Sequence, residues 1–229
     1  MARLSGTEGY AQEAEALLVT YESVPFEKSQ QRVLPLLPAP PARLLDIGAG
    51  TGRDAAGFAA LGYDVVAAEP TDEMREGAKR LHADAKAEWL DDGLPELAAL
   101  RGRGDSFDVV MMTAVWMHLD ESERQQAMPN VASLLKPRGV LAMTLRYGSV
   151  PAGRRMFEVS AGETIALAAD SGLDLLLKED APSLLKRAVP VSWKRLVFRK
   201  LSSRVARDNP RASARDPSCG PKDPSLRSG

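Results

Sequence analysis

The chain contains a single cysteine, Cys219. That excludes an internal disulfide, and a lone thiol with no partner gives no reason to expect a metal site. No apolar run approaches the length of a membrane span. The N-terminus lacks the basic-then-apolar pattern of a secretory leader. A cytoplasmic chain with no membrane partner is therefore expected. Aromatic residues make up only 5% of the sequence, so aliphatic side chains must fill most of any core.

At 229 residues and 44% hydrophobic content, the chain suits one α/β domain with a modest extension. The net charge of −1 hides an asymmetry. Residues 194–229 carry ten Lys/Arg against three Asp/Glu, or +7, leaving −8 on residues 1–193. Beyond Ser202 this basic segment is Ser, Arg, Asp, Pro and Gly with almost no apolar anchors. Such a composition does not bury enough surface to offset its ordering entropy, so residues 202–229 are expected to form a disordered, solvated basic tail.

Upstream, hydrophobic periodicity alternates between strand and helix. Helices are expected near 8–19, 26–37, 52–61, 71–82, 94–101, 121–135 and 161–171. Strands are expected at 42–47, 63–69, 86–90, 106–113, 138–146, 173–179 and 191–199. This order predicts an α/β, doubly wound, mostly parallel sheet with helices on both faces. Residues 1–40 read as an N-terminal helical extension or lid, and residues 41–201 as the main domain.

The densest chemistry lies in Leu44-Leu45-Asp46-Ile47-Gly48-Ala49-Gly50-Thr51-Gly52. An apolar strand ends in an acid, glycine then occupies every second position, and a helix begins. In open α/β sheets ligands bind at such strand ends. A dinucleotide fingerprint spaces its glycines G-x-G-x-x-G; here the spacing is G-x-G-x-G. Asp46 is poorly placed beside a pyrophosphate and better suited to a cationic ligand. Glu69 ends the second strand, 23 positions after Asp46, where an acid can accept hydrogen bonds from a ribose diol. That feature fits a nicotinamide site equally well. Asp91 and Asp92 follow the third strand, where either could meet an adenine amino group or serve as a turn residue.

These residues, with Phe107-Asp108-Val109-Val110 and Leu134-Leu135-Lys136-Pro137-Arg138-Gly139-Val140-Leu141, resemble the class I adenosylmethionine-dependent methyltransferases over roughly residues 20–200. The resemblance implies a seven-stranded, Rossmann-like sheet of order 3-2-1-4-5-7-6 with its last strand antiparallel. It implies S-adenosyl-L-methionine as cofactor, held by the backbone of Gly48, Ala49, Gly50 and Gly52, by Asp46, by Glu69 with Pro70, and by Asp91 or Asp92. Thr113 and Ala114 at the end of the fourth strand, and Tyr21 in a segment folding over the cofactor, complete that set.

Acceptor chemistry is expected after the fourth and fifth strands. His118 titrates near neutrality by default and is the candidate general base, against a reading in which it only supports local backbone. Trp116 either walls the pocket or fills core. Arg146 and Arg154 are the candidate substrate-binding residues. A guanidinium there would clamp an anionic group, or else pair with Glu158 or Glu163. The chain departs from the nucleic-acid base amino methyltransferases, having Thr113-Ala114-Val115-Trp116 where they carry Asn-Pro-Pro-Tyr or Asp-Pro-Pro-Tyr. Nucleic acid is thus not the expected partner. A small, anionic molecule methylated on O or N is expected instead. The alternatives are an NAD(P)-dependent oxidoreductase and a non-catalytic cofactor-binding module.

Overall fold

The computed structural model describes residues 6–185 and 190–202. The expected basic tail, apart from Ser202, and Cys219 lie outside the described residues.

Seven strands form one sheet of order β3-β2-β1-β4-β5-β7-β6. They are β1 (Arg43–Ile47), β2 (Asp64–Ala68), β3 (Ala87–Leu90), β4 (Phe107–Met112), β5 (Leu135–Tyr147), β6 (Leu173–Ala181) and β7 (Ser192–Lys200). The pairs β1–β2, β2–β3, β1–β4 and β4–β5 are parallel. Only β7 runs against its neighbours β5 and β6. The expected order and the antiparallel last strand are both present.

Central strands read as continuous apolar runs because both faces are covered. On one face Leu45, Val110 and Leu141 meet α5 (Ala98–Gly102), α6 (Glu121–Leu134) and α7 (Ala161–Asp170) through Leu100 of α5 with the preceding Leu97, and through Met128, Val131 and Ala168. On the other, Leu44, Val65, Val109 and Val197 pack against α3 (Arg53–Ala60) through Ala55 and Phe58. Phe58 stands edge-on between Phe26 and Tyr63 at centroid distances of 5.0 and 5.5 Å. Burying such a ring stabilises the fold by roughly 2–3 kcal/mol.

The N-terminal helices α1 (Tyr10–Glu22) and α2 (Phe26–Gln30) lie over the carboxyl edge of the sheet. Ala14 and Leu18 of α1 pack against Met74 of α4 (Asp72–Leu81). The helix expected over 26–37 stops at Gln30. A 3₁₀ turn at Leu34–Leu36 follows, because Pro35 and Pro38 cannot supply the N–H groups a continuing helix needs. The helix expected from residue 94 begins only at Ala98, after a Gly-Leu-Pro turn. The buried Asp92 side chain accepts from the N–H groups of Gly93 and Leu100 and fixes that late start.

Candidate active site

The ends of β1, β2, β4 and β5, together with α1 and α2, enclose a cavity of about 380 Å³. Its floor at one end is the glycine loop. Gly48, Gly50 and Gly52 have φ of 68°, 56° and 81°, which side-chain-bearing residues rarely adopt. A Cβ on Gly48 would stand 2.6 Å from Cγ2 of Val115.

The loop spends its donors internally. Gly48 and Ala49 donate to the Ala68 carbonyl at 2.8 and 3.1 Å, and Gly52 donates to the Ala49 carbonyl at 2.9 Å. Gly50 donates to Oε2 of Glu69 at 2.9 Å. A phosphate cradle needs such N–H groups aimed at the ligand. Here what faces the cavity is carboxylate. Asp46 is 2% exposed, and its Oδ2 is buried without a hydrogen-bond partner among the described residues. Burial pushes its carboxyl well above the usual range; Asp54 and Glu69 push it further, and Arg53 opposes them. A buried acid in that state is complemented by a cation.

Glu69 is buried, and burial raises its carboxyl above the usual range, opposed by hydrogen bonds from the Thr71 and Gly50 backbone. Oε1 accepts from Thr71 N–H at 2.8 Å. These two donors orient the carboxylate and leave lone pairs on both oxygens. Pro70 lines the same wall. Asp54, at the first turn of α3, accepts from Arg53 Nε at 2.8 Å, Gln30 Nε2 at 2.8 Å and Thr113 Oγ1 at 3.1 Å. It therefore ties α2 and the end of β4 to the glycine loop. Ala114, at φ 61°, donates its N–H to Thr144 Oγ1 at 2.8 Å. Tyr21 lines the cavity from α1.

At the opposite wall His118 is held at both ring nitrogens. Nδ1 is 2.9 Å from the Arg155 carbonyl, which only accepts, so Nδ1 carries the proton. Nε2 is then the acceptor for the Tyr10 hydroxyl at 3.0 Å. Burial lowers the imidazole pKa below its ordinary value, the Arg155 carbonyl opposes that, and Arg154 and Arg146 lower it further. The ring is neutral at neutral pH. Arg154 lies 4.3 Å over the Tyr10 ring and pairs with Glu13 at 2.8 Å, clamping α1. Arg155 bonds the His118 carbonyl and the α6 cap residues Asp120 and Glu123.

The structure brings Tyr21, Asp46, Gly48, Ala49, Gly50, Glu69, Pro70, Thr113, Ala114, His118, Arg146 and Arg154 to one cavity. Gly52 sits just beneath it, its open side filled by Trp89, Ala78 and His82. Three further expected residues do not reach the cavity wall. Trp116 is wholly buried among the α6-side core residues, because the 3₁₀ turn Trp116–His118 aims it inward. Asp92 caps the start of α5, and Asp91 is exposed with Arg75 at 3.6 Å. Arg146 donates to the carbonyls of Gly148 and Ser149 at 3.2 and 2.8 Å, while the expected partner Glu163 pairs with Arg124 instead. Sequence reasoning missed Tyr10, Gln30, Asp54 and Thr144. Asp54 was findable from its place two residues after the glycine loop; the other three carry no local signal.

Residues 44–139 match the family model for a methyltransferase domain. An uncharacterized methyltransferase of Mycobacterium bovis is 34% identical over 115 residues, 47% of this chain and 41% of that protein. The chain thus spans under half of that relative's length. Among solved structures, a TehB-like SAM-dependent methyltransferase from Corynebacterium glutamicum is 25% identical, with a TM-score of 0.57 over 83% of this chain and 96% of that one. The N-methyltransferase NodS from Bradyrhizobium japonicum, solved with S-adenosyl-L-homocysteine, shares the fold at 17% identity. Its TM-score is 0.63 over 84% of this chain and 98% of that one.

Proposed function

We propose that this chain is a class I adenosylmethionine-dependent methyltransferase, a reading supported by the methyltransferase-domain match over residues 44–139, and that it transfers the methyl group of S-adenosyl-L-methionine to a small-molecule acceptor. The observation that carries this reading is the pairing of spent loop N–H groups with the unpartnered, buried Asp46 Oδ2. Such a floor suits a cationic donor and disfavours a pyrophosphate, which counts against the nicotinamide alternative. When bound, the cofactor supplies an electrophilic methyl on a sulfonium.

The chain's own residues divide the work. Asp46 would take the positive amino-acid end of the cofactor, and the oriented Glu69 would accept from the ribose hydroxyls. Gly93 and Leu94 wall the adenine side, with Asp91 and Asp92 outside the cavity. Helices α1 and α2 exclude water, which strengthens every electrostatic interaction inside. Proximity and orientation are worth up to about 7–11 kcal/mol for such a transfer.

A protonated nucleophile needs a base, and Tyr10 with His118 provides one. The acceptor's proton passes to the Tyr10 oxygen as the Tyr10 proton moves to His118 Nε2. The fixed Nδ1–H···O=C bond to Arg155 holds the ring in the tautomer that accepts it. Arg154 and Arg146 beside this pair favour an anionic acceptor, on oxygen or nitrogen. The test is formation of S-adenosyl-L-homocysteine from S-adenosyl-L-methionine in the presence of a panel of small organic acids and amines. Turnover with at least one acid is expected; its absence across the panel contradicts the reading.

A further inference from the structure

The cavity extends beyond the residues assigned to the cofactor. That extension lies against the face shared by β5 and β7. Antiparallel register places Arg146 opposite Trp193 and Thr144 opposite Arg195, so all four side chains rise from one patch of sheet. All four line the cavity, with Val33 after α2 and Leu184 after β6 across from them. Trp193 is half-buried, and Arg195 is 8% exposed.

The charge balance of this patch is positive. Glu179 is shared by two arginines: Arg195 at 2.5 Å and Arg32 at 2.9 Å. Arg195 also donates to the Ser29 carbonyl at 3.3 Å. Two guanidinium groups facing one carboxylate leave a net positive charge shared between Arg32, which is mostly exposed, and Arg195, which lines the cavity. The glycine-loop end has the opposite balance, with Asp46, Asp54 and Glu69 against Arg53. The cavity is therefore polarised along its length, negative at the loop and positive at β7.

We propose that this part of the cavity is the acceptor subsite and that it takes an aromatic acid, its ring against the Trp193 indole and its anionic group at Arg195. The proposal rests on the methyltransferase reading and names the acceptor class of that same site. An indole face offers a large apolar area to a planar ring and favours stacked or edge-on partners. A planar guanidinium held by Glu179 and the Ser29 carbonyl keeps donors for a carboxylate and loses little freedom on binding it. An acidic nucleotide loop and a basic far wall also set opposite charges for the two ligands, which keeps them from exchanging places.

The probes are 4-hydroxybenzoate and its neutral amide, 4-hydroxybenzamide, titrated calorimetrically into the full chain saturated with S-adenosyl-L-homocysteine. The acid should bind at least about tenfold more tightly than the amide, the ratio that a single well-placed charged contact supplies. Trp193→Leu and Arg195→Gln should each weaken the acid about tenfold or more while leaving S-adenosyl-L-homocysteine affinity unchanged. Arg195→Lys, which keeps charge but loses the fork, should fall between. Equal binding of acid and amide, indifference to both variants, or no binding of the acid overturns the subsite. Failure of S-adenosyl-L-homocysteine to bind overturns the cofactor reading instead. In that case binding of the acid that still depends on Trp193 and Arg195 leaves the subsite standing.

Discussion

Replacing Asp46 by Asn separates what this residue costs the fold from what it contributes to binding. In the free protein the carboxylate is buried beside Asp54 and Glu69, with Oδ2 unpartnered and its pKa raised by burial. An acid whose folded pKa lies above its unfolded value destabilises the fold as pH rises through that interval. The unfolded state binds fewer protons there, and the slope reaches at most about 1.4 kcal/mol per pH unit. Asp46→Asn removes that term. The free variant should gain about 1 kcal/mol near neutral pH, a rise of roughly 2–4 °C in Tm for a domain of this size. It should also lose part of the wild-type decline in stability between acid and neutral pH. Binding should move the other way. Truncating one partner of a buried charge pair costs about 2–5 kcal/mol, so affinity for S-adenosyl-L-methionine should fall at least about thirtyfold. Thermal unfolding with and without ligand across pH, with calorimetric titration, measures both. A variant with lowered Tm and unchanged affinity would falsify the assignment of Asp46 as the cation partner.

Gly48→Ala should destabilise by about 1–3 kcal/mol, since its Cβ would stand 2.6 Å from Val115 Cγ2 at positive φ. Adding Val115→Ala should recover the steric part only, as read by urea denaturation. Glu69→Gln keeps an acceptor for Gly50 N–H but loses charge and lone pairs toward a diol, so S-adenosyl-L-homocysteine affinity should drop about tenfold or more; an unchanged value contradicts its ribose role. His118 should remain neutral with its proton on Nδ1 down to mildly acidic pH, since burial depresses its folded pKa. Stability assigned to it is present above its unfolded pKa and lost as pH falls through the folded one; ¹⁵N shifts showing imidazolium at neutral pH contradict this. Tyr10→Phe should leave cofactor affinity intact and lower turnover on a protonated acceptor by about 10²–10⁴, the usual reach of general acid–base catalysis.

The sheet order came from the family resemblance and from no local pattern, whereas the central strands were legible because they are apolar runs closed by turn residues. That pattern survives without knowledge of tertiary contacts. The cofactor floor was legible for a related reason: its acid, glycines and helix start are contiguous, so local spacing carries the geometry. What sequence obscured is set by contacts across the chain. Tyr10 and His118 are 108 positions apart and meet only because α1 docks on α4 and Arg154 clamps it. Trp116 and His118 sit two residues apart in one 3₁₀ turn, one aimed into core and the other into the cavity, a distinction residue type does not encode. Asp92 resembles a ligand acid until the N–H of Leu100, eight residues on, is found at its carboxylate. The N–H groups of Gly48, Ala49, Gly50 and Gly52 close on Ala68, Ala49 and Glu69, contacts that local spacing does not reveal.

The most direct measurement of the central claim compares S-adenosyl-L-methionine, S-adenosyl-L-homocysteine and NAD(P) in thermal unfolding of the full chain. At about one hundred times its Kd a ligand stabilises the fold by roughly 2.7 kcal/mol. The two adenosyl ligands should produce such a shift, and at the same ligand concentration Asp46→Asn should cut it to about 0.9 kcal/mol or less. Stabilisation by NAD(P) with no response to either adenosyl ligand would contradict the account.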